Sequence, residues 1–262
     1  MKETEKKKLS GKIPKSVWVL LSLLAAILVW YLLSIGPKTA RSFPFLNRVL
    51  PAILTMVDRG VLAKDISSSL ISVFAGFLLG FLCSLPVSFL MAWYTPVQKI
   101  LEPWIQFIRN IPALAYVPLI VISAGVGRKP QVIVIWIATF MTMTITIYQG
   151  IKNIDATLIK AARVLGANDL DIFRRVVIPA TVPFIITAVR LGMGSALTTL
   201  IAAESTGAMA GMGMRIRSLS NTFETAPMLL YIILIGVIGM GLGKIIDLLE
   251  RRMTGWQEKR EL

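Results

Sequence analysis

Apolar residues run almost without interruption through six stretches, at residues 17–35, 70–93, 111–125, 132–148, 182–203 and 228–246. At about 1.5 Å of helical rise per residue the first is about 28 Å long, enough to cross the hydrocarbon core of a bilayer. The third is short and carries Pro112 and Pro118. These predict a kinked or partly unwound helix inside the bundle, where neighbouring helices cover the backbone groups that proline frees. Between the first two stretches, Pro37, Pro44 and Pro51 predict an extended start, and residues 50–60 a short amphipathic helix ended by Gly60. Residues 160–179, K-A-A-R-V-L-G-A-N-D-L-D-I-F-R-R-V-V-I-P, break the pattern. So charged and helix-forming a stretch cannot lie in hydrocarbon, and it predicts a water-exposed helical surface suited to docking a soluble partner. The expected fold is an all-α membrane protein with about six transmembrane helices, without internal repeats and in one domain.

Composition agrees with a membrane protein: 55% of the 262 residues are hydrophobic and the mean hydropathy is +0.73. With no histidine and one cysteine, Cys83, the chain offers no zinc site of the His/Cys kind, no His-dependent catalysis and no internal disulfide. Cys83 lies in F-L-C-S-L and is read as a small buried packing residue. The net charge of +14 does not indicate nucleic acid, because Lys and Arg gather at the ends of apolar stretches instead of forming a stripe with aromatics. With a cytoplasmic N-terminus, the inside segments carry 17 Lys and Arg and the outside loops 9. The positive-inside bias therefore places both termini in the cytoplasm. Residues 1–16 are then a basic cytoplasmic tail, 17–250 the membrane domain, and 251–262 a second cytoplasmic tail.

Within the polar connection, Asp155 is placed to N-cap a helix running to Leu165, with Gly166 as the residue that stops it. Asn168 or Asp169 then caps a second short helix, with Asp169 and Asp171 near its positive end. Ala161 and Ala162 allow close backbone approach at the turn. Leu170, Ile172 and Phe173 give the short helix an apolar face, and Arg174 and Arg175 return the chain to the membrane surface before Pro179 starts the next span. An ordinary interfacial helix pair fits these features as well as a docking site does.

The pattern A-A-x-x-x-G-A followed by V-V-I-P-A-T-V-P resembles the EAA loop of bacterial binding-protein-dependent ABC importer permeases. The matching positions are Ala161, Ala162, Gly166, Ala167, Phe173, Ile178 and Pro179. Lys160 stands where that family usually has Glu, so an ion pair made by that Glu does not carry over. I-R-N-I-P-A-L-A-Y-V-P-L-I-V-I-S-A-G-V-G resembles the third-helix signature of the nitrate, sulfonate and taurine branch, and A-V-R-L-G-M-G-S-A-L-T-T-L-I-A-A-E-S with G-M-G its fifth helix. The resemblance covers roughly residues 70–252. It implies the type I importer permease fold, a bacterial cell membrane location, a second permease copy, two ATPase subunits and an extracytoplasmic solute-binding protein. ATP and magnesium are then expected in the partner ATPase, and no cofactor, metal or catalytic residue in this chain. The coupling loop spans about 155–179, with ATPase-coupling residues Lys160, Ala161, Ala162, Gly166, Ala167, Asn168, Asp169, Leu170, Ile172, Phe173 and Pro179.

A charge at the bilayer centre is costly, so Arg190 and Glu204 are expected to face protein, water or an interface. They lie too far apart along one helix to pair, and with Arg109, Pro112 and Met212 they are the candidate residues of the translocation path or gate. Glu204 with the Gly211-Met212-Gly213 turn is a candidate outer gate or a structural pair. Arg109, before Pro112, is a candidate group drawing an anion to the pathway or an interfacial residue. Gly76 with Gly80, and Gly239 with Gly243, are spaced for close helix crossing. G-M-G-L-G-K near 239–244 lacks the phosphate-loop spacing. A self-contained secondary transporter or channel is the alternative function. It requires coupling carboxylates or a filter that the spans, nearly free of Asp and Glu, do not provide. An intramembrane enzyme would need paired carboxylates or an activated nucleophile, also missing from the spans.

Overall fold

The computed structural model describes residues 14–37 and 39–253, so most of the expected basic N-terminal and C-terminal tails lies outside the described residues. The described chain is helical: α1 (Lys15–Ile35), α2 (Leu46–Asp58), α3 (Leu62–Trp93), α4 (Thr95–Arg109), α5 (Ala113–Ala124), α6 (Arg128–Lys152), α7 (Ala156–Val164), α8 (Asp169–Ile172), α9 (Ile178–Gly207), α10 (Met212–Asn221) and α11 (Thr225–Met253). Among the described residues five helical runs are long and apolar enough to cross a membrane, or six where α4 and α5, bent by 99°, count as one broken span.

The bundle is built around α6. In its most apolar 18-residue stretch 56% is buried, against 6% in α1, which lies at the margin. α3 and α9 flank α6 and make its main contacts. Small residues allow this approach. A Cβ on Gly76 would meet Ile135 Cβ at 2.7 Å and the Val132 carbonyl at 2.9 Å, and one on Gly80 would meet the Phe140 nitrogen at 3.0 Å. Helix α3 therefore has to be glycine where it crosses α6. The same helix buries Asp65, Ser69, Ser72, Ser84 and Ser88 along that face. Ser72 bonds Gln131 of α6 at 2.8 Å, and Ser88 donates to the Thr144 carbonyl at 3.0 Å.

Several expectations are corrected. Helix α3 starts eight residues before the expected 70, because Asp65 and the serines that look like loop are buried polar residues of its first turns. Residues 94–103, which lie between the expected spans, fall almost entirely in the amphipathic helix α4, which buries Ile105 against Met91, Ile145 and Tyr148. The third stretch bends at 110–112 and continues as α5, whose inward face holds Val117 while Leu119 and Ile122 are 68% and 84% exposed. It is not inside the bundle of one chain. Gly239 and Gly243 do not mediate a close crossing: only Leu197 Cδ1 approaches, at 3.3 Å from a Cβ at 239. Cys83 is half-buried instead of buried. Helix α2 forms as the expected amphipathic element, burying Val49, Ala52 and Met56, and it ends before Gly60 at φ +66°.

Candidate functional site

At one end of the bundle, the connection from α6 to α9 folds as two short helices meeting at a glycine. The Asp155 carboxylate accepts the Thr157 N–H at 2.8 Å, which caps α7 and holds this carboxyl below its ordinary range. Gly166, at φ +83°, takes the left-handed position that ends α7. Asn168 Oδ1 accepts the Asp171 N–H at 2.8 Å and opens α8. Arg163 pairs with Asp169 across the turn at 3.2 Å, and Arg175 with Asp171 at 3.7 Å. Both pairs are exposed, so they orient the turn more than they stabilise it.

Helix α8 does not stop before the next span. A π-helical turn, Phe173–Val177, joins it to α9, and the helix runs unbroken over Asp169–Gly207. Pro179 falls in the first turn of α9, and the wider π turn just before it accommodates its missing N–H. The expected fresh start of the span at Pro179 is therefore replaced by one continuous rod. Its root is fixed by Ile172, only 2% exposed, and by Phe173, which packs edge to face on Phe89 and Trp93 of α3 with centroids 5.4 and 5.6 Å away. Ile172 is thus an anchor in the bundle and cannot meet a partner. Lys160, Ala161, Gly166, Asn168, Asp169, Leu170 and Pro179 are exposed, and Ala162 and Ala167 half-buried, the latter donating to the Ala162 carbonyl at 3.0 Å. Val164 and Leu165 project furthest, each 87% exposed.

The opposite end of the bundle holds a buried polar clasp. Asp65 of α3 is fully buried and accepts from the Gly211 N–H at 3.1 Å, Arg215 Nε at 2.8 Å and the Tyr231 hydroxyl at 2.9 Å. Asp65 in turn holds the Arg215 guanidinium above its ordinary pKa. Glu204 of α9, also fully buried, accepts from the Ser69 hydroxyl and the Gly213 N–H, both at 2.7 Å. Ser69 accepts the Met212 N–H at 2.8 Å. Gly211, at φ +142°, is required here, since a Cβ would run into the Glu204 carboxylate. The pairing of Glu204 with the 211–213 turn is as expected, but both carboxylates are satisfied by protein donors. Glu204 is a tie between α3, α9 and the turn, and Met212 is a core residue at 0% exposure, so neither stands in an open gate.

Arg190 reaches Asp247 at 2.7 Å and Glu250 on α11, so it is a bridge between two helices instead of a free charge in a path. Arg109 and Pro112, by contrast, line a cleft of about 360 Å³ between the α4–α5 elbow, α6 and α9. The chain thus carries a cleft within the bundle and a protruding helix pair at one end.

Residues 76–255 match the family described as binding-protein-dependent transport system inner membrane component, well over half of the chain. The chain belongs to this family. It is an ABC importer permease, a multi-pass inner-membrane protein. The permease is 40% identical to a probable ABC transporter permease protein of Brucella abortus over 240 residues, 92% of this chain and 95% of the relative. It is 33% identical to the taurine transport system permease protein TauC of Escherichia coli, over 74% of this chain and 70% of that one. Identity to the nitrate import permease protein NrtB of Leptolyngbya laminosa is 26%, over 96% and 92%. Among solved structures, inward-facing MetNI methionine ABC transporter gives a TM-score of 0.66 at 18% identity, covering 74% of this chain and 97% of that chain. An amino acid ABC transporter gives 0.65 at 21%, covering 76% and 97%. At these identities the structures speak for the fold, which is the type I importer permease fold.

Several residues of the permease escape a reading of its sequence. Val164 and Leu165 look like core positions of α7, and only the position of the turn shows that they project. Asp65, Arg215 and Tyr231 are separated by 150 and 166 residues along the chain, so no local pattern joins them. A signal did exist for Asp65: it begins a stripe of small and polar residues, Ser69, Ser72, Gly76 and Gly80, at helical spacing.

Proposed function

We propose that this permease forms the translocation path of an ATP-driven importer for a small anion such as a sulfonate, taurine or nitrate. An extracytoplasmic binding protein delivers the solute, two copies of the chain line the path, and two separate ATPase subunits carry ATP and magnesium. The chain itself is non-catalytic. The relatives named for taurine and nitrate transport support an anionic solute. The excess of Lys and Arg on the loop side supports a cytoplasmic loop and cytoplasmic termini. Residues 17–250 then act as one permease domain, with the coupling loop at about 155–179.

The observation that carries the proposal is the α7–α8 loop. Its outer surface is formed by Lys160, Ala161, Val164, Leu165, Gly166, Asn168, Asp169 and Leu170, and α8 is continuous with the α9 span. An ATPase groove that takes up Val164 and Leu165 buries two apolar side chains that otherwise face water, about 1.5–3 kcal/mol each. Movement of that groove on ATP binding is passed to α9 without a hinge, since α8, the π turn and α9 are one helix. The two states of the ATPase pair thereby bias two arrangements of the spans. The test is co-purification of the tagged permease with its ATPase subunit. The wild-type chain retains the ATPase, and the Val164→Asp/Leu165→Asp double variant, altered only at exposed positions, loses it. Equal retention would refute this docking surface.

A further inference from the structure

We propose that the cleft between the α4–α5 elbow, α6 and α9 is an oxyanion-binding station on the translocation path, formed by Arg109, Ser195 and Thr199. This rests on the anion-import reading above and names the residues that would handle the solute within the membrane. The cleft, about 360 Å³, falls within the roughly 300–1,000 Å³ of small-molecule sites. It lies level with Ile137 to Thr142 at the midpoint of α6 and with Ser195 to Ala202 in the C-terminal half of α9. Its lining includes one cation, Arg109, and no carboxylate.

Two hydroxyls mark the wall opposite the elbow. Threonines of a helix normally donate to the carbonyl one turn back, and on α9 Thr187, Thr198 and Thr206 do so, at 2.9, 3.1 and 3.2 Å. Thr199 is only 5% exposed, yet its hydroxyl makes no hydrogen bond among the described residues. The Ser195 hydroxyl, one turn earlier on the same face, makes none either, and the two stand as neighbours at the i, i+4 spacing. Neither hydroxyl is among the fully buried polar atoms, so both are left free at the cleft and available to a solute that fills it intermittently. Arg109 likewise has no ion pair among the described residues, whereas Arg190 on α9 has two. The elbow adds a further positive contribution, because Ala113 and Leu114, at the N-terminus of the 12-residue helix α5, also line the cleft. A planar or tetrahedral oxyanion would take a charged, two-pronged contact from Arg109 and accept hydrogen bonds from Ser195 and Thr199. A neutral solute of the same size would leave the guanidinium without a counter-charge.

The test uses the full transporter, with permease, ATPase and binding protein, in proteoliposomes, with labelled taurine, methanesulfonate and nitrate as probes and glycerol as the neutral control. The permease variants are Arg109→Gln, Arg109→Lys, Thr199→Val and Thr199→Ser, each checked for assembly with the ATPase. The site predicts that Arg109→Gln lowers the maximal uptake of the anion more than tenfold, and Thr199→Val at least threefold. The half-saturating concentration of loaded binding protein stays within twofold. Arg109→Lys and Thr199→Ser recover at least a third of the wild-type rate. A structural role alone would reduce assembly as well, and would not separate Thr199→Val from Thr199→Ser. If the wild type moves an anion and Arg109→Gln moves it equally fast, this site is overturned while anion import stands. If the wild type moves neither methanesulfonate, nitrate nor taurine, a zwitterion that presents a sulfonate, or moves glycerol alone, oxyanion import and the site fail together.

Discussion

Replacing Asp65 by leucine removes the acceptor shared by the Gly211 N–H, Arg215 and the Tyr231 hydroxyl. Breaking a buried ion pair by deleting one partner costs about 3–5 kcal/mol. The side chain of Arg215 is 24% exposed, so water recovers part of its loss and the low end, about 3 kcal/mol, applies to the pair. Tyr231 is fully buried, and its orphaned hydroxyl adds about 1–2 kcal/mol. Asp65→Leu is therefore expected to destabilise the permease by about 4 kcal/mol. The double variant Asp65→Leu/Arg215→Met removes both charges, and it should recover at least about 2 kcal/mol relative to the sum of the single changes. Tyr231→Phe alone should cost about 1 kcal/mol. Equilibrium unfolding in mixed micelles titrated with dodecyl sulfate, followed by tryptophan fluorescence, measures these three variants and Arg215→Met alone. The reasoning fails if Asp65→Leu stays within about 1 kcal/mol of wild type, a size typical of any substitution, or if the double variant simply adds the single losses.

Three further outcomes follow from the packing. Gly80→Val should abolish stable folding or cost at least about 3 kcal/mol, because its Cβ meets the Phe140 backbone, while Gly241→Ala, open on all sides in the chain, should be neutral or stabilising by up to about 1 kcal/mol in the same titration. Gly166→Ala meets no neighbour but has to hold φ +83°, so it should cost about 1–2 kcal/mol locally, seen as faster amide exchange in 156–172 with the bundle unchanged. Arg190→Gln should lower stability by no more than about 1 kcal/mol, since both its partners and its own side chain are about half exposed.

The spans were legible in the sequence because a continuous apolar run of membrane length is too long for most soluble cores and matches the thickness of a bilayer. The loop at 155–179 was legible too, since Asp155, Gly166 and Asn168 each take the capping position their chemistry suits. Polar residues hid the rest. Asp65 and Ser69 read as loop, yet they form the first turns of α3 because their partners lie on α9, α10 and α11, distances along the chain at which no periodicity operates. Helix α4 carries Pro96 and Pro103 and too little apolar length to register as a span, although its amphipathic face packs on α3 and α6. Two residues of the loop changed role for a different reason. Ile172 and Phe173 share the apolar face of α8, and sequence alone does not tell a face turned to the bundle from one turned to a partner.

The most direct test of the coupled-import mechanism is ATP-driven uptake of labelled taurine, methanesulfonate or nitrate into proteoliposomes containing the permease with its ATPase and binding protein. The mechanism predicts uptake that requires all three components and ATP, and that is lost when Val164 and Leu165 are both changed to Asp. Uptake by the permease alone, or uptake unaffected by that change, would contradict it.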